Sequence, residues 1–207
     1  MKYEWRKEDK SIYLPKDKPE LIDLGQMKYL TIDGKGNPNT PQFAEVIEAL
    51  YSLSYGVRMS HKSGKIPNGY YEYTVFPLEG IWDLAQEGRG KDYLDKDELV
   101  YTLMIRQPDF LDAELLNNII LEKSKKSENK LFKKIRYESL NEGLNVQMMH
   151  IGSYDDEPAS FKIMEDYCKE NGLERLDKTH KEIYISDFRK VEKEKLKTVL
   201  RFKVRRK

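Results

Sequence analysis

The same order of elements is written into this chain twice, and that repeat limits the fold more than any other feature. In the first half, QMKYLTIDGKGNPN reads as a strand running into a Gly/Asn/Pro turn, and Thr40 followed by Pro41 reads as a helix N-cap and first helical position. The helix predicted from there carries Phe43, Val46, Ile47, Leu50 and Leu53 at steps of three and four, hence on one face, with Gly56 ending it or near its end. GYYEYTVFPLEGIWDL predicts a strand or bent strand pair interrupted by Pro77, and LVYTLMIRQP a further strand closed by Pro108. The second half offers a strand at LNVQMMHIGSY, a turn at DDEP, a helix over ASFKIMEDYCKENG ended by Gly172, and strands at HKEIYISD and KTVLRFKV. Ile32 and Phe43 stand eleven residues apart, Ile151 and Phe161 ten, so the halves also match in spacing.

Two strand-helix-strand-strand units predict an α+β fold: a pseudo-two-fold duplication with antiparallel sheets and a central ligand groove. The halves are expected at about 21–110 and 132–207. A helical connector at about 111–131 joins them, where Asp112 stands near the start of a helix and lysines at its end complement the macrodipole. Residues 1–20, rich in Lys, Asp, Glu and Pro, form an arm whose large apolar groups Trp5 and Tyr13 lay it on the body at 21–207.

Charge and composition then narrow the function. Lys plus Arg (37) and Asp plus Glu (36) nearly cancel, which leaves no basic field for a nucleic-acid backbone, so no nucleic-acid partner is expected. The 39% of hydrophobic residues suffice for a core, and the 35% of charged ones are dispersed, which excludes disorder. The opening MKYEWRKEDK is charged where a signal peptide would be apolar, and no apolar run spans a bilayer, so the expectation is a cytoplasmic protein without a membrane partner. A single cysteine, Cys168, rules out an internal disulfide; the absence of CxxC or HxxxH spacing argues for no metal, and no motif calls for a cofactor.

Few residues are left to carry chemistry. Tyr70, Tyr71, Tyr73, Phe76, Glu79 and Trp82 fall within thirteen positions, and strand alternation sends rings to each face; they either stack on a flat ligand or fill core and rim. In HKEIYISD, alternation places Glu182 and Tyr184 on one face and Ile183 and Ile185 on the other. If that face lines a groove, a carboxylate there can pair with a cation or activate water; if it is the solvent face of an edge strand, it does neither. His150 and His180 have no Ser or Cys nucleophile motif beside them and read as structural. The turn GKGNPN lacks the spacing of a phosphate cradle, and LEKSKKSENKLFKK reads as a solvated connector.

Several of these segments are familiar as a set: YLTIDGKGNPN, FAEVIEALYSLSYGVR, PLEGIW and YTLMIRQPD, then EGLNVQMMHIGSYDDEP and HKEIYISDFRKVEKEKLKTVLRFKV. Across roughly residues 20 to 204 the chain resembles the stand-alone GyrI-like family, cousins of the multidrug-sensing effector-binding domains of transcription factors. The resemblance implies an aromatic groove with an acidic residue at its base, receiving flat, often cationic, drug-like molecules, and Glu182 matches that acid. It further implies, through some stand-alone members, the hydrolytic opening of cyclopropane-bearing DNA-alkylating toxins. In that scheme Trp82, Tyr71 and Tyr73 stack on the toxin, Glu182 activates water, Tyr184 is its partner, and Glu79 is the second carboxylate or else braces the turn after Pro77. Tyr101, Met104 and Tyr137 are secondary pocket candidates. Non-catalytic sequestration or sensing of planar drugs is the competing reading; inhibition of a topoisomerase by protein contact ranks last, since the balanced charge gives it no docking surface.

Overall fold

Two long strands begin the two halves. In the computed structural model, which describes residues 2–63, 66–89, 93–127 and 129–207, strands β1 (Glu20–Lys35) and β4 (Arg136–Ile151) run antiparallel from Glu20↔Gln147 to Thr31↔Arg136. After β1 come helix α3 (Pro41–Met59) and strands β2 (Leu78–Leu84) and β3 (Leu99–Arg106). After β4 come helix α5 (Glu157–Glu170), the short β5 (Leu173–Arg175), and strands β6 (His180–Tyr184) and β7 (Lys197–Arg206). Helix α4 (Ala113–Lys126) connects the halves, and two single-turn helices, α1 (Trp5–Glu8) and α2 (Lys10–Tyr13), precede them.

The pairings close on themselves. β1 pairs with β3, β3 with β2, β2 with β6, β6 with β7, β7 with β4 and β4 with β1, all antiparallel, so six strands form a barrel-like ring. β5 pairs only with the far end of β7, from Leu173↔Arg206 to Arg175↔Val204. The duplication is therefore present as an α+β pseudo-two-fold, with two seams between halves: β1 against β4 and β2 against β6.

Helix α3 packs Leu50, Leu53 and Val57, all fully buried, into the core that also holds Leu30, Leu103 and Ile105. Each such side chain contributes about 1.5–3 kcal/mol by leaving water. Thr40 has the extended backbone of an N-cap with Pro41 behind it, but its hydroxyl donates to the Asn37 carbonyl (2.9 Å) instead of capping the helix. Asp112 does cap α4, accepting from the Leu115 amide at 2.8 Å, and Gly172, at φ +62, follows the end of α5.

Gly56 sits near the end of α3, as expected, three residues before Met59, and its missing side chain admits Ile119 of α4; a Cβ at Gly56 would lie 2.5 Å from the Ile119 methyl. Two local expectations give way. The segment before Pro77 is not a strand pair: only Tyr73 forms an isolated parallel bridge, to Tyr3, and β2 starts at Leu78. The arm is also more than laid on. Trp5 donates to the Val75 carbonyl (3.0 Å), Tyr13 is wholly buried, and Arg201 and Gln147 donate to the carbonyls of Ile12 and Ser11 at 2.7 and 2.8 Å.

Strand alternation separates two environments across the β2–β6 seam. One face carries Glu79 and Lys181, and there Lys181 Nζ meets Glu79 at 3.0 Å and Glu142 at 2.5 Å, all three buried. Burial alone would raise the Glu142 carboxyl, but the Lys181 ammonium more than offsets it and holds the group below its ordinary range. Tyr29 lies under the same ammonium, with its ring centroid 4.7 Å away.

Candidate functional site

On the other face, β6 offers His180, Glu182 and Tyr184. Because β6 is flanked by β2 and β7, this is not the face of an edge strand. Across the seam Trp82 stands opposite His180 and Gly80 opposite Glu182, which puts the indole on the same face as the acid. Two glycines make room for rings here: a Cβ at Gly80 would lie 2.7 Å from Trp82 Nε1, and one at Gly34 would overlap the ring of Tyr101.

The polar groups form a chain. Trp82 Nε1 donates to the Tyr184 hydroxyl (2.8 Å), which donates to Glu182 Oε2 (2.8 Å), while His180 Nε2 lies 3.0 Å from Glu182 Oε1. Rings surround it. Phe43 of α3, Trp82 and Tyr101 pack mutually with centroids 5.8, 5.1 and 5.2 Å apart, Tyr154 meets Tyr184 edge-on at 6.0 Å, and Phe161 of α5 meets His180 at 4.7 Å. An open depression of about 340 Å³ adjoins Trp82 and Tyr101, bordered by Asp33, Gly34, Asp83 and Thr102. Lys96 reaches Asp155 at 3.7 Å, tying the loop before β3 to the turn before α5.

Helix α5 adds a second carboxylate. Glu157 is 6% exposed, its Oε1 has no hydrogen-bond partner among the described residues, and one ligand atom from each of Glu157, His180 and Glu182 lies within 4.8 Å of the other two. Burial, then the charges of Glu182 and Asp155, push the Glu157 carboxyl up to about 10, so it is protonated at neutral pH. Burial and the Glu182 charge likewise raise Tyr184 well above its ordinary value and Tyr154 to about 12, keeping both phenols neutral and able to donate.

The structure thus brings together Glu182, Tyr184, Trp82 and Tyr101. Glu79 lies on the opposite face of the seam, bound to Lys181. Met104 packs with Leu24, Met27 and Tyr29. Tyr71 and Tyr73 join Tyr3, Phe76 and Phe110, with Tyr73 1% exposed, and Tyr137 donates to the Leu111 carbonyl at 2.5 Å. Glu157, Phe161 and Tyr154 are additions that sequence reading missed; their only signal was the turn DDEP leading into a helix one half-repeat from Phe43. His180, read as structural, contacts the acid directly. His150 is held at both ring nitrogens, by Ser160 Oγ and the Ser153 carbonyl, each at 2.9 Å.

Against known proteins, the sequence matches the GyrI-like small molecule binding domain over residues 17–205. The chain belongs to the GyrI-like family. A crystal structure of a hydrolase from Listeria innocua matches with a TM-score of 0.90 at 35% identity, covering 99% of this chain and 100% of that one. An uncharacterized conserved protein from the same organism matches equally in TM-score and identity, over 98% of this chain and 100% of its own. The EcmrR C-terminal domain shares the fold, at a TM-score of 0.52 and 14% identity over 95% of this chain and 99% of that one. A search of curated proteins returned no match. Among the described residues, no helix of this GyrI-like domain is long and apolar enough to cross a membrane.

Proposed function

We propose that the cage over the β2–β6 seam binds planar aromatic molecules and that Glu182 activates water to open a strained cyclopropane ring in such a ligand. The observation that carries this reading is a buried carboxylate, Glu182, set among Trp82, Tyr101, Tyr184, Phe43 and Phe161, with a protonated carboxyl, Glu157, close by. Flat rings stack between the aromatic walls. Water attacks the ring methylene as its proton passes to Glu182; the methylene C–C bond breaks, and its electron pair moves into the aromatic system as a phenolate, which takes the proton of Glu157. The product is the ligand plus one water, and Glu182 returns its proton to Glu157 or solvent. The hydrolase from Listeria innocua, similar over nearly the whole chain, supports hydrolysis as the reaction class.

One observation favours binding without turnover: both oxygens of Glu182 are already engaged, by Tyr184 and His180, so the acid is held as an acceptor for a cationic ligand instead of as a free base. Incubation with a panel of planar aromatics, including one with a reactive cyclopropane, followed by mass spectrometry, decides between them. Hydrolysis predicts a gain of one water that Glu182→Gln abolishes while affinity persists. Tight binding with every mass unchanged leaves a sensor or sponge, and turnover that survives Glu182→Gln removes this residue as the base.

A further inference from the structure

The same corner of the cage has the composition of a cation site. His180 supplies an imidazole nitrogen and Glu157 and Glu182 two carboxyl groups, from different elements, with one ligand atom of each within 4.8 Å of the others. Among the described residues no Lys or Arg forms an ion pair with either carboxylate, in contrast to the Lys181 cluster on the other face of the seam. Among the described residues Glu157 Oε1, on a side chain 6% exposed, has no hydrogen-bond partner, and a buried oxygen without a donor is costly unless something fills the gap.

We propose that Glu157, His180 and Glu182 bind one divalent transition-metal ion of the zinc type. One nitrogen and two carboxylate oxygens suit such an ion, whereas Mg²⁺ and Ca²⁺ prefer oxygen alone. Three protein ligands leave a fourth tetrahedral position for water or a ligand oxygen. The supporting shell is in place: Tyr184 already donates to Glu182 Oε2 and is itself fixed by Trp82, and Phe161 packs against the His180 ring. Binding requires Glu157 to release its proton and the His180 proton, now shared between Nε2 and Glu182, to sit on Nδ1, so that both carboxylates and the Nε2 lone pair face the ion; a bound ion and a proton-donating Glu157 are exclusive states of this corner. The inference goes beyond the proposed hydrolysis, and no organic ligand is needed to test it.

Chelator-treated protein titrated with Zn²⁺ against a chromophoric chelator should take up one tight equivalent and gain in melting temperature. X-ray absorption of the loaded protein should show one imidazole among oxygen ligands. Glu157→Gln, which keeps shape, and His180→Ala should each weaken binding by about tenfold or more and abolish the thermal shift, whereas His61→Ala should leave both intact. No uptake beyond adventitious binding, or uptake that is indifferent to Glu157→Gln and His180→Ala, overturns the site. Because apo protein is titrated with metal alone, these outcomes are independent of whether any aromatic ligand is bound or hydrolysed.

Discussion

Glycine at position 80 is what allows an indole to lie across the seam. With a Cβ 2.7 Å from Trp82 Nε1, Gly80→Ala should push the indole away and break its bond to Tyr184, at a cost of about 1–3 kcal/mol in stability. In a Trp5→Phe background, the Trp82 emission should shift to the red and affinity for a planar ligand should fall; unchanged emission would show that the ring has another resting place. Glu157 yields a pH signature. Its folded pKa, about 10, is raised above the ordinary carboxyl value of 4.5, so the folded state holds a proton that the unfolded state releases. Stability from this group is therefore complete below about pH 4.5 and is lost as pH rises towards 10, by up to about 1.4 kcal/mol per pH unit. Urea unfolding between pH 5 and 8 should show a flatter pH dependence for Glu157→Gln than for the natural chain, and equal slopes would contradict the assignment.

At the level of elements, α3 and α4 meet through a missing side chain. Alanine in place of glycine inside a helix ordinarily stabilises by about 1 kcal/mol. At Gly56 the sign should reverse, because the added methyl meets Ile119 at 2.5 Å; denaturant midpoints should fall for Gly56→Ala and recover when Ile119→Ala is added. The place of this glycine near the end of α3 was legible, but its purpose was not: nothing local reveals that another helix needs the space. Helices and strands with strong periodicity, such as the Leu50/Leu53 face and the alternation of Glu182 with Ile183, were legible because each pattern is complete within its own segment. Tyr71 and Tyr73 were not, since aromatic density says that rings will be buried without saying against what. Glu157 was invisible for the same reason: its meeting with Glu182 depends on how α5 crosses β6.

Across the whole molecule, the duplication was readable from the order of elements, but the closure of its strands into a ring was not, because pairing between distant strands leaves no mark on either sequence. The ring encloses an ionic cluster that should behave as a unit. Lys181→Met would leave Glu79 and Glu142 without their ion-pair partner and cost about 3–5 kcal/mol, while replacing all three by methionine should recover most of the loss, as measured by urea unfolding. Closure has another outcome. Where the ring closes every strand has two neighbours; among the described residues, edges remain at β5 and where β1 (residues 20–28) and β4 (residues 136–144) run beyond the reach of β3 and β7. Should the β1–β4 seam part, the paired edges of two 16-residue strands are bared at once, each a template for pairing with another chain. Separation of the halves should therefore promote aggregation of this protein, and a molecule filling the cage across the β2–β6 seam would suppress it.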